Sequence, residues 1–172
     1  MNQALEIPQT AVEPAQETEV FRHMREDDIP ALVALGQQFF DESEFPSFST
    51  FSPENFERLL RATVGHPQFN TLIFAPEGTP EGFLSFQLET AYTVEPLALG
   101  FLFYVSPAYR KSPAGRILQG MALAQAKDCG AVAFYGGVMS GIESAEKTMP
   151  NLYRKLGFEE LWWGRRILTK ET

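Results

Sequence analysis

Arg110, Lys111, Ser112, Pro113, Ala114, Gly115 and Arg116 stand together between an apolar run that ends at Val105 and an apolar helical pattern that follows Gly115. The first amides of a helix have no partner within it and sit at the positive end of its dipole, so a helix opening here would bind an anion. Ser112 suits the N-cap and Pro113 the first helical position, which turns the amides of Ala114, Gly115 and Arg116 outward. Arg110, Lys111 and Arg116 add formal charge, and a diphosphate fits such a cradle. The plainer reading of the same residues is a solvated strand-to-helix loop with a proline at the helix start.

Two lengths of chain must hold this cradle. Ala98 to Val105 is uniformly apolar, as expected for a strand buried on both faces. Ala114 to Asp128 carries Ile117, Leu118, Met121, Ala122 and Ala126 at helical spacing and stops at Gly130. Upstream, Val20 to Met24 reads as a short strand. Asp27, Asp28 and Pro30 open a helix from Asp28 to Phe40, and Ser52-Pro53-Glu54 opens another through Val64. The intervening loop holds the aromatics Phe45, Phe48 and Phe51 with the acids Asp41, Glu42 and Glu44. It serves three readings: a wall of an acceptor site, core packing, or a dimer contact.

Thr71 to Ala75 and Gly82 to Thr90 read as paired strands joined at Pro76 to Pro80, and the alternation of Phe83, Ser85, Gln87 and Glu89 with Leu84, Phe86 and Leu88 predicts one solvated face. After the helix, Ala131 to Tyr135 returns as a strand. Ser144 to Leu156 is partly helical, with Pro150 starting or kinking its last portion. Phe158 to Thr169 supplies closing strands. A helix between two central strands implies a crossover and parallel pairing there, in a mixed α/β chain.

With 172 residues and 44% apolar content, the chain supports one sizeable core. Residues 1–19 contain four glutamates, two prolines and no Lys or Arg, which predicts a flexible acidic arm ahead of a single domain over 20–172. The arm lacks the basic n-region and apolar stretch of a secretory signal, and no run approaches a membrane span, so a cytoplasmic protein without membrane partner is expected. Cys129 is the only cysteine and His23 and His66 the only histidines, which leaves no internal disulfide and no zinc-site spacing. A net charge of −8 argues against nucleic acid as partner. Gly137-Val138-Met139-Ser140-Gly141 is not a nucleophile elbow, so a serine hydrolase is set aside.

The cradle, taken with Asn151-Leu152-Tyr153-Arg154-Lys155-Leu156-Gly157-Phe158, resembles the coenzyme A binding core of the GCN5-related N-acetyltransferases. That family's signature reads Gln or Arg, two residues, Gly, one residue, then Gly or Ala. Arg110 and Gly115 match its ends, while Pro113 replaces the first glycine and removes one amide donor, a loss of about 1–3 kcal/mol if that donor meets phosphate. The departure resembles those of acetyltransferase-like proteins of tailed bacteriophages. Glu146 stands where the family usually has Asn.

The resemblance implies a GNAT-like mixed central sheet of six to seven strands flanked by about four helices. It also implies acetyl-CoA as acyl donor, no metal, and a primary amine of a small molecule or protein as acceptor. Phe103, Tyr104 and Val105 would face the pantetheine, splaying from the strand with Phe134, Tyr135 and Gly136, and a backbone amide near Phe103 would polarise the acetyl carbonyl. Arg110, Lys111, Ser112, Ala114, Gly115 and Arg116 would hold the phosphates. Tyr153 would protonate the departing thiolate; its plainer reading is a core aromatic with a surface hydroxyl. Many relatives place a glutamate in the central strand, where this chain has Leu99, Gly100, Phe101 and Leu102. Glu44 or Glu89 is then the expected proton acceptor, with Glu42 and Glu95 as further choices. The competing reading is a catalytically inactive module that keeps the fold and binds coenzyme A or a protein partner, and a homodimer fits either.

Overall fold

The computed structural model describes residues 18–136 and 142–156. Four strands form an antiparallel meander: β1 (Phe21–His23), β2 (Phe69–Phe74), β3 (Gly82–Glu89) and β4 (Leu97–Val105). A fifth, β5 (Ala133–Tyr135), pairs with β4 in parallel, as the intervening helix required. The helices are α1 (Ile29–Glu42), α2 (Pro53–Thr63), α3 (Ala114–Asp128) and α4 (Glu143–Lys155). The described sheet therefore has five strands. The closing strands expected over 158–169, and the acidic arm up to residue 17, lie outside the described residues. No described helix is long and apolar enough to cross a membrane.

One apolar cluster lies on each face of the sheet. On one, Ile29, Leu32 and Leu35 of α1 and Leu60 of α2 pack on Ile73, Phe83 and Tyr104. On the other, Leu118, Met121, Ala122 and Ala126 of α3 pack on Leu72, Leu84, Phe86 and Ala98. This corrects the expected solvated face of β3. Phe83 and Ser85 are as buried as Leu84 and Phe86 because helices cover both sides, and the hydroxyls of Ser85 and Thr71 satisfy each other at 2.9 Å. The residues of β4 show the opposite departure. Ala98, Tyr104 and Val105 are buried, but Leu99 to Phe103 are only partly covered, and Phe101 is 41% exposed.

Helix starts follow their sequence signals closely. The Ser52 hydroxyl accepts the Asn55 amide at 3.2 Å and Pro53 opens α2. Asp28 ends up with a different task from the one its position suggested. Its carboxylate accepts two bonds from the Arg22 guanidinium, at 2.7 and 2.9 Å, and one from the Arg25 amide at 2.7 Å. Both Arg22 and Asp28 are buried. Burial works against the charged carboxyl, yet the hydrogen bonds from Arg22 and Arg25, with their charges, outweigh it and hold Asp28 below the usual carboxylate range.

A folded-state value below the unfolded one means that this contribution to stability is present at neutral pH and drains away as the pH falls below about 4, toward the folded value. Asp28→Asn should cost about 3–5 kcal/mol at pH 7, because it removes the carboxylate that pairs with the buried Arg22 charge. In denaturant melts from pH 7 to 3, the variant should also lose less stability on acidification than the parent does.

Candidate active site

Among the described residues, β4 and β5 pair through Leu97↔Ala133, Ala98↔Phe134 and Leu99↔Tyr135. From Gly100 onward β4 has no strand partner on this side among the described residues. On its other side β4 stays paired with β3, where Leu102 opposes Ser85 and Gly100 opposes Phe86, so Phe101 is an extra residue that bulges from the ladder. Two glycines stand at this fork, where β4 runs on past its described pairing with β5. A Cβ on Gly100 would stand 3.1 Å from the Phe134 ring, and one on Gly136 would stand 3.0 Å from the Tyr153 hydroxyl.

A cavity of about 460 Å³ fills the fork. Residues 100–105 of β4, Phe134 and Gly136 line it, together with Ser112, Gly115, Arg116 and Gln119 at the start of α3 and Met149, Leu152 and Tyr153 of α4. Seven residues expected at the site from sequence meet here: Phe103, Tyr104, Val105, Arg110, Ser112, Gly115 and Arg116, and Tyr153 joins them. Lys111 is exposed outside the lining. Glu44 and Glu89 are not brought into the cavity either. The Glu89 carboxylate accepts the Ala91 amide at 2.6 Å, and Glu44 precedes the short 3₁₀ turn Phe45–Ser47.

The cradle differs from its expected form by one residue. The α3 helix starts at Ala114, with Pro113 at the N-cap. The Ser112 hydroxyl accepts the Ala114 amide at 3.2 Å and the Pro113 carbonyl takes that of Ile117 at 3.0 Å. Gly115 and Arg116 keep the outward amides. Gly115 sits close under Phe103, since a Cβ there would stand 3.3 Å from the ring and press it aside.

Arg110 is not turned simply toward an anion. Its Nε donates to the Val105 carbonyl at 3.0 Å, and its Nη2 donates to the Glu42 carboxylate at 2.6 Å. Its guanidinium lies 5.2 Å from the centre of the Tyr104 ring. The Tyr104 hydroxyl donates to the other Glu42 oxygen at 2.5 Å. A carboxylate at the last residue of a helix opposes the dipole, and these two donors compensate for it. Burial, reinforced by the Glu42 contact and opposed by Arg110, pushes the Tyr104 phenol far above its ordinary value, so it remains a donor.

The Tyr153 phenol lines the cavity against Gly136. Burial raises it above its ordinary value, and a hydrogen bond with Gln119 opposes that rise without cancelling it. Gln119 is 2% exposed, and among the described residues its Oε1 has no partner. A buried carbonyl oxygen facing a cavity is fitted to an N–H of whatever enters it. Sequence reasoning passed over Gln119, although the signal was there. It falls on the same helical face as Ser112, Gly115 and Arg116, one turn into a helix whose neighbouring positions are apolar.

No protein-family profile matches the chain, and no curated protein matches it. Solved structures do. An acetyltransferase of Trypanosoma brucei superposes with a TM-score of 0.65 at 19% identity, over 87% of this chain and 98% of the other. The aminoglycoside acetyltransferase AAC(6')-Iy, solved with a bisubstrate analogue of CoA and acetylneamine, gives 0.67 at 14% identity, over 88% and 97%. A Bacillus halodurans protein described as a transcriptional regulator gives 0.70 at 16%, over 87% and 98%. These likenesses carry the fold and not the bacteriophage-type lineage to which Pro113 pointed. By the five strands and four α-helices of the described residues and by its superposition on these structures, the chain has the fold of the GCN5-related N-acetyltransferases.

Proposed function

We propose that this protein transfers an acetyl group from acetyl-CoA to a primary amine. The observation that carries the reading is the Tyr153 hydroxyl, which lines the same cavity as the Gly115 and Arg116 cradle and is hydrogen-bonded to Gln119 of the cradle's own helix. The residues fit the donor. Two outward amides with Arg116 suit a diphosphate. The edge of β4 beyond Leu99 has no strand partner among the described residues, and the Gln119 carbonyl oxygen is unpaired, so both suit a ligand arm carrying amides. The solved relative with CoA and an acetylated amine in one analogue supports the same pairing of ligands.

When bound, the thioester supplies an activated acyl group and a thiolate that leaves. The Tyr153 phenol is kept protonated by its burial and can give its proton to that sulfur. Gln119 orients the phenol from the α3 side. Gly136 leaves room for the hydroxyl, and the apolar lining of Phe103, Phe134 and Leu152 limits water. A second reading, coenzyme A binding without turnover, is favoured by one observation: among the described residues no carboxylate lines the cavity to serve as a base.

Titration calorimetry of acetyl-CoA separates these readings from no function at the fork. Micromolar binding should weaken about tenfold in Arg116→Ala, the loss expected for one charged phosphate contact. Absence of any binding would overturn both readings. Tyr153→Phe should bind acetyl-CoA within about threefold of the parent yet lose about 10²–10³ in kcat, in the range for a positioned acid. An acid acts while protonated, so kcat of the parent should fall only at pH values above the ordinary phenol range, and the variant should lose that limb. Gly136→Ala, which intrudes on the hydroxyl, should lower kcat with acetyl-CoA affinity kept.

A further inference from the structure

The acceptor is unassigned by anything described so far, yet the cavity has a limb that the cradle and Tyr153 do not use. Phe103 and Val105 belong to the apolar cluster under α3, whereas Leu102, Tyr104 and Phe39 belong with the cluster under α1 and α2. All five line the cavity. It therefore passes through the fork from one face of the sheet to the other. A donor lying between the α3 cradle and Tyr153 fills the first face and leaves the second.

That second limb is aromatic. Phe39 and Phe45 line it, with ring centres 6.0 Å apart, and Phe39 meets Tyr104 edge-on at 5.9 Å. Phe45 in turn packs edge-on at 5.8 Å against Phe48, which is 64% exposed. The rings form a path from the surface to the fork. Charge points the same way. Among the described residues the cavity lining carries Arg110 and Arg116 and no carboxylate. The nearby acid, Glu42, has both oxygens engaged by Tyr104 and Arg110.

We infer that the acceptor is a single primary amine on a flat apolar group, an arylalkylamine in chemical class, and not a polycationic aminosugar. The inference rests on the acetyltransferase reading above. Ring edges and faces around Phe39 and Phe45 stack against an aryl group, while each further ammonium on an acceptor would face Arg110 with no carboxylate among the described lining residues to meet it. Low polarity also favours entry of the amine in its neutral form. The proton balance then closes without a carboxylate base. The amine nitrogen bonds the acetyl carbon, the carbon–sulfur bond breaks, the sulfur gains the Tyr153 proton, and the phenol recovers a proton from the nitrogen.

Two conjugates test this, CoA-S-acetyl-phenethylamine and CoA-S-acetyl-neamine, titrated calorimetrically beside CoA itself. The aryl conjugate should bind about 30-fold more tightly than CoA, the gain expected from burying one phenyl group, and the neamine conjugate no more tightly than CoA. In Phe45→Ala the gain of the aryl conjugate should shrink by about tenfold while CoA affinity stays, and unchanged CoA affinity shows that the variant is folded. If CoA binds and the aryl conjugate gains nothing, if neamine gains more, or if Phe45→Ala leaves the gain intact, the acceptor class is overturned while the donor site stands. If CoA itself does not bind, the acetyltransferase reading falls and this inference falls with it.

Discussion

A strand that keeps one neighbour and loses the other sets the terms for the whole molecule. β4 pairs with β3 from Leu97 to Val105 but, among the described residues, with β5 only through Leu99. Backbone amides and carbonyls that face a covered cavity need partners, and an open edge inside a protein is a standing demand for them. Part of that demand is met internally, since Arg110 takes the Val105 carbonyl. The rest is open to a ligand with amides of its own. The glycine at 100 lets β4 pass close to Phe134 and Tyr135 of β5, and the glycine at 136 leaves room for the Tyr153 hydroxyl. The buried, unpaired oxygen of Gln119 extends the same demand to the helix side.

Much of this was legible in the sequence where the signal is local. Proline and serine at helix starts, the period of α1 and α3, and Gly130 as a stop all depend on near neighbours, and they placed the helices to within a residue or two. The faces of β3 were not legible, because burial of Ser85 depends on a Thr71 hydroxyl from another strand and on helices arriving on both sides. For the same reason β4 was read as a fully buried strand: an apolar run looks alike whether it is covered by protein or lines a cavity. The cradle was found through its composition. Its register slipped by one residue, since Pro113 is tolerated at either of two adjacent positions at a helix start.

Arg110 shows how a residue of the right type at the right spacing can acquire a further partner from far along the chain. Glu42 lies at the end of α1, and its pairing with Arg110 and Tyr104 ties the aromatic loop to the end of β4 and the approach to α3. Nothing in the sequence near Arg110 announces that contact. It places a counter-ion beside one of the cradle's cations and leaves Arg116 as the cation in the lining without a paired carboxylate among the described residues. Electrostatic pull on an anion is thereby concentrated at the first turn of α3, where the amides also point.

The two apolar clusters share no buried residue, because the sheet stands between them as a septum. Substitutions under α1 and α2 can therefore accumulate without disturbing the packing of α3 against β2, β3 and β4, and the reverse holds as well. A fold divided in this way can be rewritten one side at a time. Such modular drift is consistent with a chain that shares less than a fifth of its residues with the Trypanosoma and Bacillus proteins and still superposes on nearly the full length of each.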